Sequence, residues 1–237
     1  MKKLVFVSGV ARSGTSALVN VLNKNPGFLI GMERYFFLIK REEITLEHFR
    51  GQRFLAVEEG DTHGKGLAME DPKKALRNAT FIGDKFPLLF EHFDYMLDAF
   101  PEARHIYIVR NPLSVVESYD ARLRDKSDKW RKSWQVGLNE WNTSVQSVMK
   151  LSAEQLAKFY FVSYESFFES TGEMNALFSH FDLGEVRNEH LKPFCQKFRE
   201  LNENPVKRRD DIRQYVARHA DWQSYRALLQ RIEEQKV

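Results

Sequence analysis

The chain has 237 residues, 43% hydrophobic and 29% charged, with only 12 Gly and 7 Pro, which excludes collagen-like, low-complexity and wholly disordered chains. Thirty-six Lys and Arg against 33 Asp and Glu leave a net charge of +3, a balance that does not demand nucleic acid and suits an anionic small ligand equally well. The single cysteine, Cys195, excludes an internal disulfide framework and a Cys-rich zinc site and fits a reducing compartment.

Lys2-Lys3 ahead of the apolar run 4–7 has the outline of an export signal, but the run is too short and leads straight into Gly9 and Arg12. No stretch of 18 apolar residues occurs, so the expectation is a soluble cytoplasmic protein without a membrane span. Residues 4–7 form an unbroken apolar, β-rich run of the kind buried on both faces of a parallel sheet. A turn over 9–14 follows, then a helix over 16–24 with Leu18, Val21 and Leu22 at helical spacing, stopped by Asn25-Pro26. Further strands are expected at 28–30, 80–83, 105–109 and 159–163, separated by helical segments at 88–100, 113–126 and 165–181. The stretch 42–74 is the least regular and reads as an insertion or acceptor loop at the functional edge of the sheet. Trp130, Trp134 and Trp141 read as packing residues of one helical segment, and 208–237 as terminal helices. Alternating strands and helices predict a single α/β domain over 1–237, a three-layer sandwich on a mainly parallel sheet of the P-loop nucleotide-binding type.

Gly9-Val10-Ala11-Arg12-Ser13-Gly14-Thr15-Ser16 has the G-x-x-x-x-G spacing of a phosphate loop, placed between a strand and a helix as that motif requires. Successive backbone N–H groups there wrap an anion, and the helix N-terminus adds a favourable dipole. Thr15 stands where nucleotide triphosphatases keep the Lys that reaches the β and γ phosphates, while the cation, Arg12, precedes the second glycine. That exchange disfavours an ordinary ATP or GTP site.

Arg12-Ser13-Gly14-Thr15-Ser16 resembles the 5′-phosphosulfate loop of the sulfotransferase superfamily, whose cofactor is 3′-phosphoadenosine 5′-phosphosulfate (PAPS) and whose product is adenosine 3′,5′-bisphosphate. Ile106-Tyr107-Ile108-Val109-Arg110, followed by Ser118 eight positions later, resembles the family's grip on the 3′-phosphate. Glu33 after the second predicted strand and Gly83-Asp84-Lys85-Phe86-Pro87 look like segments of the branch that includes tyrosylprotein sulfotransferases and bacterial relatives. The resemblance implies Glu33 as catalytic base and Lys85 and Arg12 at the reacting sulfuryl group. It also implies Arg12, Ser13, Gly14, Thr15, Ser16, Arg110, Ser118 and, from Val162-Ser163-Tyr164-Glu165, Tyr164 as cofactor contacts. It covers about 4–170; Lys207 or Arg208 would be a further phosphate contact. Met32 precedes Glu33 and Tyr35 follows closely, a departure from the neighbours of that Glu in tyrosylprotein sulfotransferases, and the expected acceptor is a hydroxyl of a small molecule, carbohydrate or lipid.

Sulfuryl transfer needs in-line placement, a base for the hydroxyl proton and positive charge where oxygens gain charge. No H-E-x-x-H or clustered His occurs among the 7 His, and no metal is expected. His63, in the irregular stretch, is the second candidate base. Two other functions remain open at this level: a P-loop small-metabolite kinase, which needs Mg²⁺ and a loop Lys, and a non-catalytic nucleotide-binding module.

Overall fold

Alternation along the first strand sets the layering. In the computed structural model, which describes residues 2–62, 67, 71–203 and 209–235, β1 (Lys3–Ser8) sends Leu4 and Phe6 into one core and Val5 and Val7 into another. It is joined by β2 (Phe28–Met32), β3 (Phe81–Lys85), β4 (Arg104–Val109) and β5 (Phe159–Ser163). All pairings are parallel and the order is β2-β3-β1-β4-β5. The chain lays β2 and β3 to one side of β1, then crosses over to add β4 and β5 on the other. Such a reversal opens a crevice at the carboxyl ends of the strands, where α/β sheets bind ligands.

One face packs Val5, Val7, Ile106 and Ile108 against the helices Thr15–Leu22 and Thr171–His180. The other packs Leu4, Phe6, Tyr107 and Val109 against the helices Phe93–Ala99, Pro112–Arg124 and Trp134–Met149 and the terminal pair Asp210–His219 and Trp222–Glu234. Each fully buried Leu, Val or Phe adds about 1.5–3 kcal/mol of transfer free energy. Within the second core His105 is completely buried, stacked on Phe159 at 4.7 Å, with neither ring nitrogen hydrogen-bonded. Burial drives its pKa down to about 3, so the imidazole is neutral in the native state.

The five expected strands are present. The helical expectations need three corrections. Residues 88–100 do not form one helix, because Pro87–His92 is 3₁₀ with a kink at Leu88 before Phe93–Ala99 begins. Residues 165–181 divide into Tyr164–Phe167 and Thr171–His180, the second capped by Ser170. Trp130 lies ahead of the helix that carries Trp134 and Trp141, since Ser133 starts that helix by accepting from Val136 N–H. The described residues of 42–74 are more regular than expected: Leu46–Phe49, Gly51–Leu55 and Pro72–Asn78 are helical, and Phe49 and Phe54 join the core. A helix over Asn188–Glu203 was not anticipated; Pro193 inside it masks the spacing of Leu191, Phe194, Cys195 and Phe198. Among the described residues no helix is long and apolar enough to cross a membrane.

Candidate active site

The turn after β1 is shaped by two glycines that no other residue replaces. Gly9 has φ +139, and a Cβ there would lie 2.3 Å from the Ile108 carbonyl oxygen. Gly14 has φ +93, and its Cβ would lie 2.4 Å from the Tyr164 ring. Arg12 also takes a left-handed φ of +70. The helix Thr15–Leu22 starts at Gly14 without a side-chain cap, so its first N–H groups are left for something else. Ser13 is fully buried and Thr15 nearly so, and the hydroxyls of Ser8 and Ser13 have no hydrogen-bond partner among the described residues. Buried polar atoms without partners mark a strain reservoir or a ligand site. Ser16 is exposed on the first turn of the helix.

Arg110 and Ser118 meet this loop from the next strand over. Arg110 follows β4, and its Nη1 donates to the Arg12 carbonyl at 3.0 Å. Its guanidinium lies over the Tyr164 ring at 4.2 Å, while its buried Nε has no partner. Ser118 Oγ accepts from Arg12 Nε at 2.9 Å. Arg12, Arg110, Ser118 and Tyr164 are therefore one connected group. Partial burial, then the charges of Arg122 and Arg110, lower the Arg12 pKa; a site in which cations oppose one another gains from an anion. Two supports take roles here beyond the packing and motif positions read from the sequence. Trp141 Nε1 donates to the Arg110 carbonyl at 2.9 Å, and Glu165 accepts from Asn111 N–H at 2.9 Å and from Ser163 Oγ at 3.3 Å. Both tie the end of β4 to its surroundings.

Across β1 the ends of β2 and β3 build a second group. The register pairs Met32 and Val7 with Lys85, so Glu33, Lys85 and the turn after Ser8 share one edge. Lys85 Nζ lies 2.6 Å from Glu33 Oε1; the lysine side chain is 3% exposed and that of the glutamate 28%. The Glu33 carboxylate thus sits, partly exposed, on a buried cation. Its carbonyl accepts from Thr62 Oγ1 at 2.5 Å, so the 42–74 connection does reach this edge. Asp84, 1% exposed, accepts from Arg34 N–H at 3.1 Å and Tyr35 N–H at 2.9 Å. Tyr35 and Phe54 belong to the core, and burial pushes the Tyr35 phenol up to about 12.

The sequence-derived residues thus fall into two groups on the same edge: Arg12 to Ser16 with Arg110, Ser118 and Tyr164, and Glu33 with Lys85. His63, Lys207 and Arg208 lie outside the described residues. Arg209, next to the latter two, is bonded to Asp120 at 3.2 Å, two residues beyond Ser118. A 110 Å³ niche beside Tyr164 is lined by Ala17, Asn20, Phe194, Lys197 and Phe198. A 620 Å³ cavity bounded by Lys3, Phe81, Phe100 and Arg104 lies at the opposite edge, at the amino ends of the strands, away from both groups.

Among curated proteins, Protein-tyrosine sulfotransferase 1 of Danio rerio is 23% identical over 173 residues, 68% of this chain and 48% of that protein. The chain thus spans about half the length of the curated relative it matches. Solved structures with this fold include the "Sulfotransferase Domain from the Curacin Biosynthetic Pathway", at TM-score 0.55 and 12% identity over 92% of this chain and 97% of the other. Another is the "Sulfotransferase Domain from the Synechococcus PCC 7002 Olefin Synthase", at TM-score 0.53 and 18% identity over 90% and 94%. The model described as "Sulfotransferase family" matches residues 5–186, a span that runs from within β1 through β5 and takes in both groups of the site. The chain belongs to the sulfotransferase family.

Proposed function

We propose that the chain moves a sulfuryl group from PAPS to a hydroxyl of a small molecule, carbohydrate or lipid, with Glu33 as general base. The observation that carries this reading is the Glu33–Lys85 ion pair at 2.6 Å on the same sheet edge as a phosphate loop that lacks the nucleotide triphosphatase lysine. The residues fit the cofactor: the unpartnered Ser8 and Ser13 hydroxyls, the unpartnered Arg110 Nε and the uncapped helix at Gly14 are donors awaiting an anion. Arg12, Ser13, Gly14, Thr15 and Ser16 would hold the 5′-phosphosulfate and Arg110 with Ser118 the 3′-phosphate. The Tyr164 niche, with Phe194 and Phe198, suits an adenine ring.

When bound, PAPS supplies an activated sulfuryl group and a leaving phosphate. The protein's own part is positional and electrostatic. Glu33 receives the acceptor's hydroxyl proton on its carboxylate. Neutralising that carboxylate frees the Lys85 ammonium from its ion pair, so its charge becomes available to oxygens gaining charge at the same moment. Arg12 adds a second cation from the loop. The 42–74 connection, through Thr62, borders the acceptor side. A cytoplasmic setting is in keeping with the single, buried, unpaired Cys195.

A small-metabolite kinase would need a loop lysine, and Thr15 stands in that place. Thermal shift separates the two chemistries: adenosine 3′,5′-bisphosphate should stabilise the protein and Mg-ATP should not. Mass spectrometry for a sulfate mass gain across an acceptor library then tests catalysis, and an unchanged library with a strongly binding cofactor would leave a binding module instead.

A further inference from the structure

Glu33 holds a backbone φ of +57, a region uncommon for a residue with a side chain. Three contacts, all from the end of β3, keep it there. Glu33 N–H donates to the Lys85 carbonyl at 2.9 Å. The next two N–H groups, of Arg34 and Tyr35, each take one oxygen of Asp84, at 3.1 and 2.9 Å. Only a carboxylate serves both donors, since an amide has one accepting oxygen and would set its NH₂ against the other N–H. Room for it is reserved across the strands: Gly31 pairs with Asp84, and a Cβ on Gly31 would fall 2.8 Å from Asp84 Oδ1.

Asp84 does this at 1% exposure with no ion pair among the described residues, and burial raises its carboxyl to about 6. A buried carboxylate without an ion pair carries a desolvation cost that its backbone hydrogen bonds and the nearby Lys85 charge offset only in part, which is consistent with a use other than stability. Its neighbour Lys85 completes the arrangement: consecutive residues of one strand end hold the backbone after Glu33 and the Glu33 carboxylate itself.

We propose that Asp84 is a positioning residue, its two oxygens fixing the turn after β2 so that the Glu33 carboxylate leaves the sheet edge in its working direction. The inference rests on the reading of Glu33 as base, and on nothing that Asp84 does to the cofactor loop.

A double-mutant cycle tests it. Asp84→Asn, Glu33→Gln and the double variant are compared in sulfuryl release from PAPS to water and to a phenol, a primary alcohol and a hexose. Calorimetry with adenosine 3′,5′-bisphosphate and a crystal structure of Asp84→Asn accompany the kinetics. Misplacing a reacting group by about 1 Å can cost about 100-fold, so Asp84→Asn should lower kcat roughly 10- to 100-fold. KM for PAPS and bisphosphate affinity should stay within about twofold, as expected of a loss confined to the transition state. In the Glu33→Gln background the same substitution should have almost no further effect, and the crystal structure should show Glu33 out of the left-handed region. An equal loss in both backgrounds, or an unmoved Glu33, overturns the proposal. Near-normal turnover of Glu33→Gln alone overturns the base assignment instead. Should Asp84→Asn unfold, Gly31→Ala, which crowds Asp84 Oδ1 but keeps the charge, must give the same non-additive cycle.

Discussion

Gly9 to Ser16 forms its part of the edge from eight consecutive residues, whereas the Glu33 side is assembled from 31–35, Asp84-Lys85 and Thr62, brought together by strand register. The first depends on backbone shape at Gly9 and Gly14. The second depends on which residue of β3 faces which residue of β2. A loop of the first kind keeps its geometry when a side chain is trimmed, because backbone N–H groups do the work. A site of the second kind loses geometry when any one of its distant partners is changed. Substitutions on the two sides should therefore fail differently.

The largest expected effect lies on the acceptor side. Glu33→Gln keeps shape and removes the base, so turnover should fall on the order of 10²–10⁴-fold with cofactor affinity unchanged, as read by steady-state kinetics beside calorimetry. Comparable losses of affinity and turnover would mean that the two sides are not separable. On the nucleotide side Gly14→Ala must abandon φ +93 or drive a methyl into the Tyr164 ring, 2.4 Å away. Strain and overpacking of this kind cost about 1–3 kcal/mol, measurable by urea unfolding, and displacing Tyr164 from Arg110 should weaken binding of adenosine 3′,5′-bisphosphate as well.

A change at the amino end of β4 should fall on both sides alike. His105 is neutral in the fold, with a pKa of about 3 against an ordinary 6.5, so the stability it permits is full above pH 6.5 and is lost as pH falls toward 3. Asp84 works in the opposite sense: its carboxyl, raised to about 6, favours the fold below its ordinary range and loses that contribution as pH rises through 6. The stability difference between His105→Phe and the unmodified protein isolates the histidine. It should grow by about 1.4 kcal/mol per pH unit below 6.5, reaching about 2 kcal/mol near pH 5 in denaturant titrations. A pH-independent difference would show that the imidazole charges without unfolding the core.

The same contrast explains what could be read from the sequence. Four of the five strands were legible as mainly apolar runs, β3 only from Phe81-Ile82 ahead of Gly83-Asp84-Lys85, and the phosphate loop because its spacing is local. Arg110 and Ser118 were legible only through the family resemblance; the residues alone read as a cation at a strand end and a neutral helix position. Asp84 lies within Gly83-Asp84-Lys85-Phe86-Pro87, yet the role proposed for it depends on facing Gly31 and the turn after it, which periodicity does not encode. Glu165 and Trp141 are similar: each holds the backbone at the end of β4 from a distant segment. The 42–74 stretch looked irregular because its helices are one or two turns long and mixed in charge, although Phe49 and Phe54 anchor them in the core.

On the nucleotide side, Arg110 is proposed to hold a 3′-phosphate. Calorimetry of the unmodified protein and Arg110→Ala with adenosine 3′,5′-bisphosphate and with adenosine 5′-phosphosulfate, which lacks that phosphate, tests it. Arg110→Ala should weaken the bisphosphate by about 1.5–3 kcal/mol, the range for a hydrogen bond to a charged group, and leave the phosphosulfate nearly unchanged; equal losses for both ligands would contradict the assignment.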